Sequence, residues 1–199
     1  MNRLARVILA SASPRRLELL RSLGLEVRVA PSAYAEPANP LKSPRELAQI
    51  HAREKLLDVL ATQNGEDLVV AADTIVDVDG IAYGKPRDPD DAVRMLRELS
   101  GRDHIVHTAF AISVRPHPIF EACESTTVRF FELDEDEIQT YAQSGEPMDK
   151  AGGYGIQGIG AGLVERIDGD FYTVMGFPLG RFVRSLRGLG FSLVMPKNT

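Results

Sequence analysis

Ser11-Ala12-Ser13-Pro14-Arg15-Arg16 joins an apolar run, Val7-Ile8-Leu9-Ala10, to a stretch in which Leu17, Leu19, Leu20 and Leu23 recur at helical spacing before Gly24. A short buried strand that turns directly into a helix is a building unit of α/β sheets, so this junction narrows the possible folds more than any other feature. Ser13 suits the N-cap and Pro14 the first helical position, which places Arg15 and Arg16 in the first turn, at the positive end of the helix dipole. Each cation there costs about 0.3–1 kcal/mol. An anion in the site offsets that cost, because backbone N–H groups, serine hydroxyls and guanidinium forks all bind phosphate oxygens. Two solvated surface arginines are the other reading, and this segment leaves both open.

The chain has 199 residues, 44% of them hydrophobic, enough for a proper core in one domain spanning 1–199. No apolar run approaches the roughly 20 residues that span a bilayer, and Met1-Asn2-Arg3 leads into a strand without a signal-peptide core. The expectation is a soluble, cytoplasmic protein with no membrane partner. Cys123 is the one cysteine, which excludes an intramolecular disulfide or a cysteine-based zinc site. A net charge of −5 supplies no field for a nucleic-acid polyanion, so no nucleic-acid partner is expected and any phosphate must be drawn by a local cationic cluster.

Beyond the first helix, Glu26-Val27-Arg28-Val29-Ala30 alternates as a strand, and a Pro- and Ala-rich loop from Pro31 to Pro40, containing Glu36, has the character of a lid. Ser43-Pro44-Arg45-Glu46 is a capping box that opens a helix running to about Leu60 and carrying Lys55. Leu68 to Ala72 reads as a buried strand ending at Asp73-Thr74, and Asp79-Gly80 predicts a hairpin between Ile75-Val76 and Ile81-Ala82-Tyr83. Asp88-Pro89 starts a helix that Gly101 stops, after the turn Gly84-Lys85-Pro86. Two long strands, Ile105 to Val114 and Ile119 to Phe131, are joined by Arg115-Pro116-His117-Pro118. Asp134 begins a capping-box helix ended by Gly145, Leu163 to Ile167 alternates as a strand closed by Asp168-Gly169, and Pro178 to Leu189 is a last helix. Interleaved strands, helices and hairpins indicate a mixed α/β sheet.

Asp73 ends a strongly apolar strand, where an unpaired carboxylate is costly, so it needs a partner or a purpose. It can bind a divalent metal, activate water, or cap neighbouring amides in an Asx-type turn, and spacing leaves these open. Lys55 and Lys85 each read singly as surface lysines; they gain interest as members of one cluster with Arg15 and Arg16. Lys150 to Gly158 holds a literal G-x-G-x-x-G at Gly153, Gly155 and Gly158, yet a helix precedes it and a strand follows, the reverse of a dinucleotide fingerprint. What survives is a loop whose backbone can approach a ligand, with Gln157 able to donate and accept. His104 and His107, three apart on a strand, face opposite sides of the sheet and do not form a metal pair. Tyr141, Tyr154, Phe171 and Tyr172 read as packing residues.

Leu9-Ala10-Ser11-Ala12-Ser13-Pro14-Arg15-Arg16, Ala72-Asp73-Thr74, Gly84-Lys85-Pro86, Leu99-Ser100-Gly101 with His104, and Asp149-Lys150-Ala151-Gly152-Gly153-Tyr154-Gly155-Ile156-Gln157-Gly158 together resemble the Maf family of nucleotide pyrophosphatases, as far as Gly176-Phe177-Pro178. The resemblance implies a twisted mixed α/β sheet flanked by helices, similar to the inosine triphosphate pyrophosphatase-like fold, with the active-site cleft between two lobes. It also implies a homodimer that hydrolyses nucleoside triphosphates to monophosphate and pyrophosphate with a divalent cation, Mg²⁺ or Mn²⁺. By the same resemblance Asp73 is the proton acceptor, and Arg15, Thr74 and Gln157 bear on substrate choice. Arg16, Glu36, Lys55 and Lys85 match the phosphate and metal site, with Glu36 and Asp73 toward the metal. Tyr-Gly-Ile-Gln is similar to the dTTP/UTP-preferring branch. One departure is Leu56, where the family carries alanine after the lysine. The mechanism expected from this pattern lays the triphosphate on Ser11, Ser13, Arg15 and Arg16, with Lys55 and Lys85 on its outer oxygens. A nucleotide-binding regulator of septum formation that does not turn its ligand over is the competing reading.

Overall fold

The computed structural model describes residues 2–63, 67–114 and 117–193. In chain order the elements are β1 (Asn2–Leu4), β2 (Arg6–Leu9), α1 (Pro14–Ser22), β3 (Glu26–Val29), α2 (Pro44–Leu60), β4 (Leu68–Val78), β5 (Ile81–Tyr83) and α3 (Pro89–Leu99). Then follow β6 (Asp103–Ser113), β7 (Phe120–Phe130), α4 (Glu135–Gln143), a series of 3-10 turns between Glu146 and Leu163, β8 (Val164–Asp168), α5 (Phe171–Met175), α6 (Leu179–Gly188) and β9 (Phe191–Leu193). The main sheet runs β3-β2-β4-β6-β7-β8, with β5 hairpinned onto the far end of β4, while β1 and β9 pair separately. β2 is parallel to β3 and β4, as β1 is to β9, and the remaining pairs are antiparallel, so the expected mixed α/β sheet flanked by helices is what the chain forms.

β4 organises the molecule. Its first half contributes Leu68, Val70 and Ala72 to a core with Leu9, Leu20, Phe110, Phe177 and Phe182. Its second half gives Val76 and Val78 to another core with Leu96, Leu99, Val128, Phe130, Tyr141 and Tyr154. The cleft opens where the strand passes from one core to the other. The sequence predicts a strand that ends at Ala72 with Asp73 at its tip, but the ladder with β6 continues unbroken from Val69↔Ser113 to Asp77↔Ile105. Thr74-Ile75-Val76 has the β-branched composition a strand favours, and an equally long partner keeps the hydrogen bonding going past the acid. Asp79 and Gly80, at φ 54° and 83°, then make the left-handed pair that a tight hairpin requires.

One other expectation changes, around α5. After Gly169 the Asp170 side chain accepts from the Thr173 amide and caps α5. Phe171 and Tyr172 therefore sit on a one-turn surface helix, 38% and 41% exposed, touching each other and not the core, whereas Tyr141 and Tyr154 are packed as expected. Of the turn between β6 and β7, Arg115 and Pro116 lie outside the described residues, and the His117 amide donates to the Val114 carbonyl at 2.8 Å. The histidines do separate onto opposite faces. His104 joins the second core, its Nε2 2.7 Å from the Tyr154 hydroxyl, and His107 lies between Ser125 and Asp77. No described helix is long and apolar enough to cross a membrane.

Candidate active site

One cleft of about 480 Å³ is lined by Ser11, Ser13, Arg15, Arg16, Glu36, Lys55, Asp73, Thr74, Lys85 and Gln157, every site residue the sequence singled out. They come from the β2–α1 turn, the loop after β3, α2, the middle of β4, the turn after β5 and the glycine-rich stretch before β8.

The β2–α1 turn supplies oriented donors. Ser13 holds the N-cap position with Pro14 next, but its side chain caps no amide; its own N–H donates to Ser11 Oγ at 3.2 Å. The first amides of α1 are thus left open at the positive end of the dipole. Arg16 is fixed by separate acceptors: its Nε donates to the Gly176 carbonyl at 2.9 Å, Nη1 to Ser11 Oγ at 3.1 Å and Nη2 to Thr74 Oγ1 at 3.1 Å. Burial lowers the Arg16 pKa while Asp73 and Glu36 raise it. A guanidinium remains charged in such a setting, so the cleft keeps a fixed cation with further N–H groups to offer. Arg15 crosses to the opposite wall and grips Asp149, Nη1 to Oδ2 at 2.7 Å and Nη2 to the carbonyl at 3.1 Å.

Lys55 is the residue whose setting differs most from the single-residue reading. It is buried, and its Nζ lies 2.6 Å from Asp73 Oδ1 and 2.5 Å from Glu36 Oε1. Asp73 is 5% exposed, which removes the Asx-turn alternative: its partner is an ammonium contributed by α2. Burial raises the Asp73 pKa, against the opposing pull of Lys55 and Arg16. Oδ2 has no hydrogen bond among the described residues, so it is available to a water or ligand at the cleft. For Glu36 the balance falls the other way: burial raises its pKa, but the Lys55 bond and charge, with His51 and Lys85, bring it below the usual carboxylate value. Glu36 also has φ 50°, an unusual conformation for a residue with a Cβ, and such strain of about 1–3 kcal/mol collects at sites whose surroundings over-determine the backbone.

That loop is tied down in this structure. Ser32 Oγ and the Ala33 amide both donate to Asp58 Oδ2, at 2.7 and 2.8 Å, and the Tyr34 hydroxyl lies 3.3 Å from His51 Nδ1. Tyr34 and His51 line the cleft and escaped the sequence reading. His51 stands four residues before Lys55 on α2 and so shares its face, a signal that was available.

The far wall is built from glycines. Gly152, at φ 69°, donates its amide to the Gly84 carbonyl at 2.9 Å, and a Cβ there would sit 2.8 Å from Val76 Cγ2. This close approach docks the loop against the Gly84-Lys85 turn. Lys85 is exposed at the rim and forms no ion pair among the described residues. Glu146, also missed, ties the loop from below: its carboxylate accepts from the Ile159 amide at 3.0 Å, the Gly160 amide at 3.1 Å and the Tyr141 hydroxyl at 3.0 Å. The same hydroxyl accepts from the Gly155 amide at 3.0 Å. Gly158 passes so near that a Cβ would meet Glu146 Oε2 at 2.8 Å. Gln157, between these anchored amides, is exposed on the cleft.

The family model described as Maf-like protein matches residues 6–189. The dTTP/UTP pyrophosphatase of Bacillus velezensis is 49% identical over 92% of this chain and 95% of its own length. That of Thermus thermophilus is 49% identical over 93% and 95%, and that of Aquifex aeolicus 46% over 92% and 95%. A solved nucleoside-triphosphatase / dITP/XTP pyrophosphatase from Mycobacterium abscessus aligns over 93% of this chain and 95% of its own, at 16% identity and a TM-score of 0.44. With the family's motif residues gathered in one cleft and the match running nearly end to end, this chain belongs to the Maf family.

Proposed function

We propose that this chain hydrolyses nucleoside triphosphates, dTTP and UTP foremost, between the α and β phosphates, releasing monophosphate and pyrophosphate. The observation that carries the reading is the buried Lys55, bonded to both Asp73 and Glu36 beside the locked Arg16 and the uncapped start of α1. A cleft that holds two fixed cations and an uncapped helix start beside a buried acid suits a small polyanion next to a base. The names of the relatives, at 46–49% identity, support the substrate.

In this reading the triphosphate lies against the first amides of α1, Ser11, Ser13 and Arg16, with Lys55 and Lys85 toward its outer oxygens. Asp73 Oδ2 takes a proton from water as the water oxygen bonds to the α-phosphorus. The bond from that phosphorus to the α–β bridging oxygen breaks, and pyrophosphate departs with the bridging oxygen. Thr74 and Gln157 face the base. Glu36 and Asp73 converge on Lys55 Nζ, so a hard divalent cation would be held by the carboxylate oxygens that Lys55 leaves free beside the space for phosphate. They would hold Mg²⁺ or Mn²⁺, which when bound neutralises charge on the α-phosphoryl group.

Pyrophosphate release from dTTP, UTP, CTP and methylated GTP, each with Mg²⁺ and with Mn²⁺, tests the proposal. Release from dTTP and UTP, at least about tenfold faster than from methylated GTP, is the expected result. Hydrolysis in ¹⁸O-water should label the monophosphate. Nucleotide binding without release of pyrophosphate from any of them would establish a sensor instead.

A further inference from the structure

A hydroxyl has one proton to give and two lone pairs to accept with, so its neighbours decide what it can offer a ligand. Thr74 Oγ1 receives a proton from Arg16 Nη2 at 3.1 Å and lies 3.0 Å from Thr108 Oγ1. Thr108 is wholly buried, and its single proton goes to the Thr173 carbonyl at 2.7 Å, an atom that can only accept. The Thr74–Thr108 bond therefore has one possible direction: Thr74 donates inward and Thr108 accepts. With its proton committed and one lone pair taken by Arg16, Thr74 presents a single lone pair to the cleft it lines.

Ser11 is set the opposite way. Its oxygen receives the Ser13 amide and Arg16 Nη1, so its proton remains to be given. A donor suits phosphate oxygens; a bare lone pair repels them. Thr74 thus belongs opposite an N–H.

We propose that Thr108 sets substrate choice by holding the Thr74 hydroxyl as an acceptor for the imide N3–H of thymine and uracil, which rests on the pyrophosphatase reading above. Cytosine carries a lone pair at N3 and meets lone pair with lone pair. Thr108 is a positioning residue, fully enclosed and acting through Thr74. Its own acceptor is fixed from beyond: Asp170 Oδ2 accepts from both the amide and the hydroxyl of Thr173 at 2.8 Å, and the Asp170 amide donates to Thr126 Oγ1 at 2.9 Å. α5, whose aromatic residues face solvent, is in this account the anchor of a relay that ends at the base.

The test is kcat/KM for UTP and CTP in the wild type, Thr108→Val and Thr108→Ser, with thermal melting to establish folding and inhibition by pyrophosphate to monitor the phosphate end. Wild-type turnover of UTP checks the parent reading by itself, so its absence would sink that reading and not be confused with failure of the relay. Valine removes the acceptor and frees the Thr74 proton to turn toward cytosine. The CTP:UTP ratio should rise by about tenfold, the scale of relieving one unmatched polar contact, while inhibition by pyrophosphate stays unchanged. Serine should restore the wild-type ratio. A ratio that does not move in Thr108→Val, or moves equally in Thr108→Ser, overturns the proposal. Should the valine variant not fold, Thr74→Val carries the test: loss of the preference for UTP over CTP supports the relay's end point, and an unchanged preference refutes it.

Discussion

The two walls of the cleft achieve rigidity by different means. Around Asp73, charged side chains from regular elements are locked to one another: Lys55 from α2, Arg16 from α1 and the acid from β4 each have a stiff backbone behind them. Across the cleft, Gln157 sits in a glycine-rich loop whose amides converge on the Glu146 carboxylate and the Tyr141 hydroxyl. The first wall concentrates charge and suits a triphosphate, which every nucleotide substrate shares. The second holds a neutral hydrogen-bonding group at a defined height and suits a base. Damage to the charged side chains of the first should remove turnover for all nucleotides, and damage to the second, or to the uncharged Thr74 beside the first, should redistribute it among them.

Arg16→Lys gives the largest effect expected of that contrast. A lysine keeps the charge but cannot serve Gly176, Ser11 and Thr74 together, so kcat/KM should fall by about 10²–10³ for dTTP and CTP alike. A loss confined to one nucleotide would erase the division between the walls. Glu146→Gln should act differently, raising KM for dTTP by about tenfold with kcat within about threefold, as one charged acceptor for two amides is weakened. Inhibition by pyrophosphate, which lacks a base, should not change. Gln157→Ala should narrow the dTTP:CTP preference by about fivefold, the worth of one hydrogen bond, and leave inhibition by pyrophosphate unchanged.

The smallest effect on turnover comes from His104, behind the glycine wall. Burial lowers its pKa from 6.5 to about 4, so the unfolded chain binds a proton that the folded one refuses. The stability this confers is full above pH 6.5 and is lost as pH falls toward 4, amounting to about 3 kcal/mol. His104→Gln should leave activity at pH 8 within about twofold and flatten the decline of the melting temperature between pH 6.5 and 4.

Much of this arrangement could be read from local pattern. The β2–α1 junction and the capping boxes at Ser43/Glu46 and Asp134/Glu137 stand as expected, because each is decided within a few residues. The Gly-x-Gly motif is not a dinucleotide site, since 3-10 turns and not a strand and helix surround it. Burial of Lys55 was illegible in composition, because it depends on an acid 18 residues away on another element. The extent of β4 depends on the length of β6, which nothing in Leu68 to Ala72 announces. Glu146 eluded the reading because its partners are backbone amides, which carry no residue signature. The family resemblance supplied the grouping of the charged residues; the hydrogen bonds supply its reason.

Asp73→Asn bears most directly on the central claim that one buried acid takes the proton while the surrounding cations hold the triphosphate. The measurement is single-turnover pyrophosphate release from dTTP alongside the dissociation constant of the same complex. The account predicts a rate at least about 10³-fold lower with affinity within about fivefold of wild type. A variant that binds dTTP and releases pyrophosphate within tenfold of the wild-type rate would contradict it.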